Sequence, residues 1–240
     1  MHTLYIQYGN FLFKYRNVLF PVVLLILFVI FNPVPWPDTA MDWCLDLVGI
    51  LITMAGQGIR AAVIGLAYIK RGGVNKKIHA DTLVTTGLFA HCRNPLYAGN
   101  LLILAGLLII FNNPWVYLAG GGFFILSYAA IVAAEESFLL RKFGQEYERY
   151  CREVNRWMIT MRGLYGTLQS MEFTWERVIY KDYTTMLTWI VTVILIMNIE
   201  HVHSFGLHHS YRYAFQSVVL LTVFMLLADI VRGLKNTNNR

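Results

Sequence analysis

Residues 89–110 read FAHCRNPLYAGNLLILAGLLII, so an arginine, an asparagine and a proline stand directly against an uninterrupted apolar run. A charge at the doorstep of such a run is the pattern of a helix entering a membrane from its polar face. Pro95 suits the first position of that helix, where its missing N–H is one of the donors that lack an intrahelical partner anyway. The short turn FNNP at 111–114 sends a second apolar run straight back, and that run ends at Glu135 and Glu136. The hairpin therefore returns two adjacent carboxylates to the membrane depth of Arg93.

The rest of the chain agrees with a membrane protein. Of its 240 residues 57% are hydrophobic and 14% charged, against about 25% charged in soluble domains. Six segments approach the length of about 20 apolar residues that a span needs. They cover 18–31, 43–69, 96–111, 115–134, 184–199 and 213–231. The aromatic-rich stretch LYIQYGNFLFKYRN before the first is expected to lie in the interface. The predicted fold is all-α, a polytopic transmembrane bundle of about six spans with a cytoplasmic amphipathic helix after the fourth.

Basic residues alternate with basic-poor loops. Lys14 and Arg16 precede the first span, Asp38 and Asp42 follow it, and Lys70, Arg71, Lys76, Lys77 and Arg93 follow the second. The segment after the fourth span is densely basic, and the tail carries Arg232, Lys235 and Arg240. By the positive-inside rule both termini are expected to be cytoplasmic. The net charge of +6 is spread beside apolar segments; it marks lipid contact and no nucleic-acid partner. Cys44, Cys92 and Cys151 are too scattered for a disulfide framework or a metal site.

Within 135–157, Leu139, Phe143, Tyr147, Tyr150 and Val154 recur at steps of three and four, the mark of one amphipathic helix on the membrane surface. Arg93 with Glu135 and Glu136 at one level makes a site for a zwitterion: a guanidinium forks onto a carboxylate and a glutamate accepts from an ammonium. An amino-acid moiety has that charge pattern. Arg60, deep in the second span, is expected to face the bundle interior or a substrate. Gly58 with Ala62 and Ala61 with Gly65 have the spacing of close helix packing, and GGG at 120–122 reads the same way. His201, His203, His208 and His209 are read as a solvated loop, with no metal site.

LVTTGLFAHCRNPLYAG, followed by EESFLLRKFGQEYERYCREVNRW, resembles the isoprenylcysteine carboxyl methyltransferase and phospholipid N-methyltransferase superfamily. The resemblance spans 83–157 and implies an S-adenosylmethionine-dependent membrane methyltransferase. It implies that Arg93, Tyr97, Gly99, Glu135 and Glu136 line the cofactor pocket, with Gly87 and His91 contributing and Asn94 standing where the family often has His. Gly99 is expected to keep the first turn open for the ligand. Arg156, at the family's Val-x-Arg position, is the candidate for gripping an anionic acceptor, and Arg60 joins it as a catalytic candidate. Gly87-Leu88-Phe89 departs from the family's Gly-Pro-Tyr, and VNRWMIT lacks its usual proline.

Three regions follow: 1–82 with two spans and a loop, 83–160 as the methyltransferase core, and 161–240 as a linker with two further spans. Those last spans are expected to wall the acceptor cavity or to form a homo-oligomer contact. The partners implied are membrane lipids and a lipophilic methyl acceptor, such as a phospholipid amine or a prenylcysteine carboxylate. A sterol-type NADPH reductase is the alternative enzyme, although that class carries Gly-Glu where this chain has Gly99-Asn100. A non-catalytic membrane protein of the same fold is the third reading.

Overall fold

The computed structural model describes residues 2–34, 39–66, 73–74 and 77–238. Asp38, Lys70, Arg71, Lys76 and Arg240, used above as charge markers, lie outside them, as do the side chains of Lys77, Arg232 and Lys235. The described chain is an all-α polytopic bundle apart from one two-residue antiparallel pair, β1 (Gly73–Val74) and β2 (Lys77–Ile78). Five helices are long and apolar enough to cross a membrane. They are α1 (His2–Ile30), α2 (Thr39–Leu66), the continuous helix Pro114–Phe143, α8 (Trp175–Phe205), which follows the short α7 (Leu164–Gln169), and α9 (Leu207–Asn238). A sixth, α3 (Pro95–Phe111), has 17 residues, or about 25 Å of helix.

The helix Pro114–Phe143 begins as α4 (Pro114–Val116), passes through a π-helical turn over Tyr117–Gly121 and continues as α5 (Gly122–Phe143). Asn113 caps its start by accepting from the N–H groups of Trp115 and Val116. Gly120, in the π turn, faces Leu27 and Leu108, whereas Gly121 and Gly122 meet nothing. The core is shared by α1, α3 and α5. Phe28 stacks on Phe111 at 4.4 Å, and Phe20 packs edge-on against Phe124 and Tyr128.

The tightest contact is between α2 and α3. Gly49 and Gly56 on α2, and Gly99 and Gly106 on α3, lie two turns apart on their own helices and so share a face. A Cβ on Gly56 would fall 2.6 Å from the Gly99 carbonyl oxygen, and one on Gly106 would collide with Thr53 and the Gly49 carbonyl. Backbone therefore meets backbone along this seam, the arrangement small residues permit between membrane helices. The spacing highlighted in the sequence was a different one. Gly58 faces open space, and Gly65 instead meets the Phe173 ring.

Four expectations are corrected. The aromatic lead-in 4–17 is no separate interfacial segment but the first half of α1, because Gly9 lets it pack directly on Ala130 and Ala134 of α5. The amphipathic stretch after span four is two helices, α5 and α6 (Gln145–Glu153), since Gly144 turns the chain at φ 52°, ψ −123°, a conformation open to glycine. Span five begins at Trp175, well before residue 184. The histidine-rich loop is helical: α8 runs to Phe205, Gly206 makes the turn at φ 74°, and α9 follows at once. His201 there bonds Ser210 and stacks on Tyr213, and no metal-binding cluster occurs among the described residues.

Candidate active site

Around Arg93 the backbone is fixed by two strands of loop. The Arg93 N–H donates to Asn155 O at 2.9 Å and the Thr160 N–H to His91 O at 2.9 Å, so the 155–160 loop lies against the 3₁₀ turn Gly87–Ala90 and the start of α3. His91 is buried, with Nδ1 2.8 Å from Thr160 O and Nε2 2.9 Å from Thr167 Oγ1. A carbonyl only accepts, so Nδ1 carries a proton, while Nε2 is bonded to the threonine hydroxyl. Both nitrogens are committed, and His91 is a fastener of the loop. Asn94 precedes α3 and donates to Arg156 O at 3.1 Å. Gly87 stands at φ 63° beside Met171.

The hairpin geometry brings Arg93 and Glu136 together. Arg93 Nη1 lies 3.2 Å from Glu136 Oε1 and also donates to Cys151 Sγ of α6. Arg156 grips the same glutamate with two nitrogens, Nε to Oε1 at 3.0 Å and Nη2 to Oε2. Burial works against the Arg93 charge, but Glu136, Cys151 and Tyr147 together outweigh it and hold the guanidinium above its ordinary pKa. Burial, reinforced by Glu136, likewise pushes the Tyr147 phenol up, and burial raises Tyr150 and the Cys92 thiol. Tyr150 donates to Phe89 O at 2.7 Å, which docks α6 over the 3₁₀ turn.

Glu135 points elsewhere. Consecutive helical residues differ by about 100° in direction, and Glu135 accepts from the Tyr97 hydroxyl at 2.7 Å on the α1–α3 side. Arg16 donates to the same hydroxyl oxygen at 2.7 Å, and its guanidinium lies over the Phe13 ring at 4.3 Å. Arg16, read from the sequence only as a flanking charge, is thus part of the polar cluster; its spacing from Tyr97 gave no signal. A groove of about 550 Å³ between α1, β2 and α5, lined by Phe11, Lys14, Phe138 and Arg141 among others, lies beside this side of α5 and does not include Arg93, Glu136 or Arg156.

Two of the expected residues sit apart. Arg60 is held in an interior ion pair with Asp182 of α8. Gly99 is not open toward a ligand: a Cβ there would fall 2.7 Å from Arg60 Cγ and 2.8 Å from the Gly56 carbonyl oxygen. The cluster that remains holds Arg16, Arg93 and Arg156 against Glu135 and Glu136. Arg93 Nε is buried with no hydrogen-bond partner, one of two such side-chain atoms among the described residues. A buried N–H without an acceptor calls for an explanation, and an incoming carboxylate supplies one.

Residues 46–146 match the phospholipid methyltransferase family. Over 139 residues the chain is 29% identical to the human protein-S-isoprenylcysteine O-methyltransferase, covering 54% of this chain and 46% of that protein. A probable protein-S-isoprenylcysteine O-methyltransferase of rice is 27% identical over 122 residues, 50% of this chain and 64% of the relative. The cobalt-zinc-cadmium resistance protein CzcN of Cupriavidus metallidurans is 30% identical over 145 residues, 60% of this chain and 63% of the relative. The chain thus spans about half to two thirds of the length of these relatives. No solved structure matches. The central part of the chain is thus similar to the superfamily that joins the phospholipid and isoprenylcysteine methyltransferases.

Proposed function

We propose that this chain is an integral membrane methyltransferase that uses S-adenosylmethionine to methylate a lipophilic acceptor, with residues 83–160 as its core and the Arg93 end of the bundle cytoplasmic. The observation that carries this is the unpartnered, buried Nε of Arg93 beside Glu136, in a cluster with one more guanidinium than carboxylate. That donor set fits the methionyl end of the cofactor: Arg93 takes its carboxylate, and Glu136, with Glu135 behind it, takes its ammonium. When bound, the cofactor supplies an electrophilic methyl group on a sulfonium, which needs orientation and a dry site more than acid–base help.

The protein's residues meet those needs. Tyr147 and Tyr150 of α6 are buried over the cluster and exclude water. Tyr97 keeps its hydroxyl proton on Glu135 Oε1 while Arg16 bonds its oxygen, so the carboxylate is held in one orientation. Arg156 binds Glu136 through Nε and Nη2; its half-exposed guanidinium edge is the group that would steer an anionic acceptor head. The names of the relatives favour a prenylcysteine carboxylate or a phospholipid amine as acceptor.

Calorimetry on the detergent-purified protein tests the reading. S-adenosylmethionine should bind, and Arg93→Ala or Glu136→Ala should abolish the signal. Tight NADPH binding with no S-adenosylmethionine binding would overturn it in favour of a reductase. Incubation with methyl-labelled cofactor and a total lipid extract then identifies the acceptor.

A further inference from the structure

We infer that Asp182 of α8, outside residues 46–146 that match the phospholipid methyltransferase family, is a positioning residue for the methyl-donor site, acting through Arg60 and Asn100 on the first turns of α3. The inference rests on the proposed function and extends it to the appended helices.

Asp182 is fully buried and sits at the centre of a closed network. Its carboxylate accepts from Arg60 through Nε at 3.3 Å and through Nη2, and from Gln57 Nε2 at 2.8 Å. Trp189 Nε1 bonds Gln57 Oε1 at 3.1 Å, and Arg60 Nη2 reaches Thr185 Oγ1 at 3.2 Å, so α8 contributes three side chains. The other edge of the guanidinium, Nη1, donates to Asn100 Oδ1, and the aliphatic stem of Arg60 fills the space beside Gly99.

Asn100 stands one turn after Tyr97, on the same side of α3. Arg60 therefore bears on two consecutive residues of the turn that follows Arg93 and carries Tyr97. Without Asp182, an arginine in the membrane interior would be left unpaired and its guanidinium would swing toward a polar boundary. Its grip on Asn100 and its cover over Gly99 would be lost together. The α8–α9 hairpin is on this account part of the catalytic unit, since it supplies the counter-ion that aims Arg60 at α3.

The test is a double-mutant cycle in S-adenosylmethionine affinity, measured by calorimetry on the full chain. Asp182→Asn and Asn100→Ala should each weaken binding about tenfold or more, and the combined variant should be no weaker than Asp182→Asn alone, because both cut one line of contact. Additive losses would mean that the two residues act separately and would overturn the inference. Asn100→Ala leaves the ion pair and the docking of α8 in place, so wild-type affinity in that variant overturns the inference even if Asp182→Asn fails to fold. Wild-type protein that binds no S-adenosylmethionine overturns the proposed function and this inference with it; unaffected variants of a binding wild type overturn this inference alone.

Discussion

The Arg60 guanidinium, inside α2, directs its nitrogens to Asp182, Asn100 and Thr185, whereas the Arg93 guanidinium, at the mouth of α3, leaves a buried Nε with no acceptor. Both arginines face a carboxylate, and both are largely removed from solvent. They differ in completeness. The interior cluster is closed, with each donor matched among residues of the chain. The mouth cluster is open, with two arginines sharing one glutamate and a donor held in reserve. A buried charge by itself marks cost; a buried charge with an unmet hydrogen bond marks a place for a ligand.

That difference can be broken deliberately. The largest effect is expected at the closed site: Asp182→Leu strands Arg60 and should destabilise the protein by about 3–5 kcal/mol, read as denaturant or thermal unfolding in micelles. Adding Arg60→Met should restore stability to within about 1 kcal/mol of wild type, since a buried pair replaced by apolar groups is often neutral. A double variant as unstable as the single one would show that the network does more than balance charge. At the open site, Arg93→Met should cost about 1 kcal/mol, because Arg156 still pairs Glu136, while ligand binding disappears in the calorimeter. The smallest effect is expected at Gly58, which faces open space: Gly58→Ala should gain about 0.5 kcal/mol from helix propensity. A loss there would place an unseen neighbour on that face of α2.

The open site was largely legible in the sequence. Pro95 and the FNNP turn set a hairpin whose arithmetic brings Glu136 back to Arg93, and the structure has that pair. What the arithmetic does not contain is side-chain direction. Glu135 and Glu136 read as twins, yet they face opposite neighbours because one helical step turns the side chain by about 100°. His91 entered the site only through the family resemblance; its two partners, at Thr160 and Thr167, come from a loop whose path no periodicity predicts. Arg60 was legible as a buried cation, but its counter-ion lies 122 residues away on α8, in a stretch read only as a linker. Gly144 was hidden inside a stripe that keeps its period across the break, because the stripe reports burial and not continuity.

The glycine seam between α2 and α3 has a consequence for motion. With Gly56 and Gly106 pressed onto the facing backbone, the two helices have no slack in which to slide or roll, and they move as one body with Arg60 locked across them. The other wall of the cluster around Glu136 is built differently. There α6 joins α5 through the single residue Gly144 and docks through Tyr150 on the Phe89 carbonyl and through Cys151 on Arg93. Of the walls around Glu136, this nine-residue helix is the one joined to its neighbour through a glycine at positive φ.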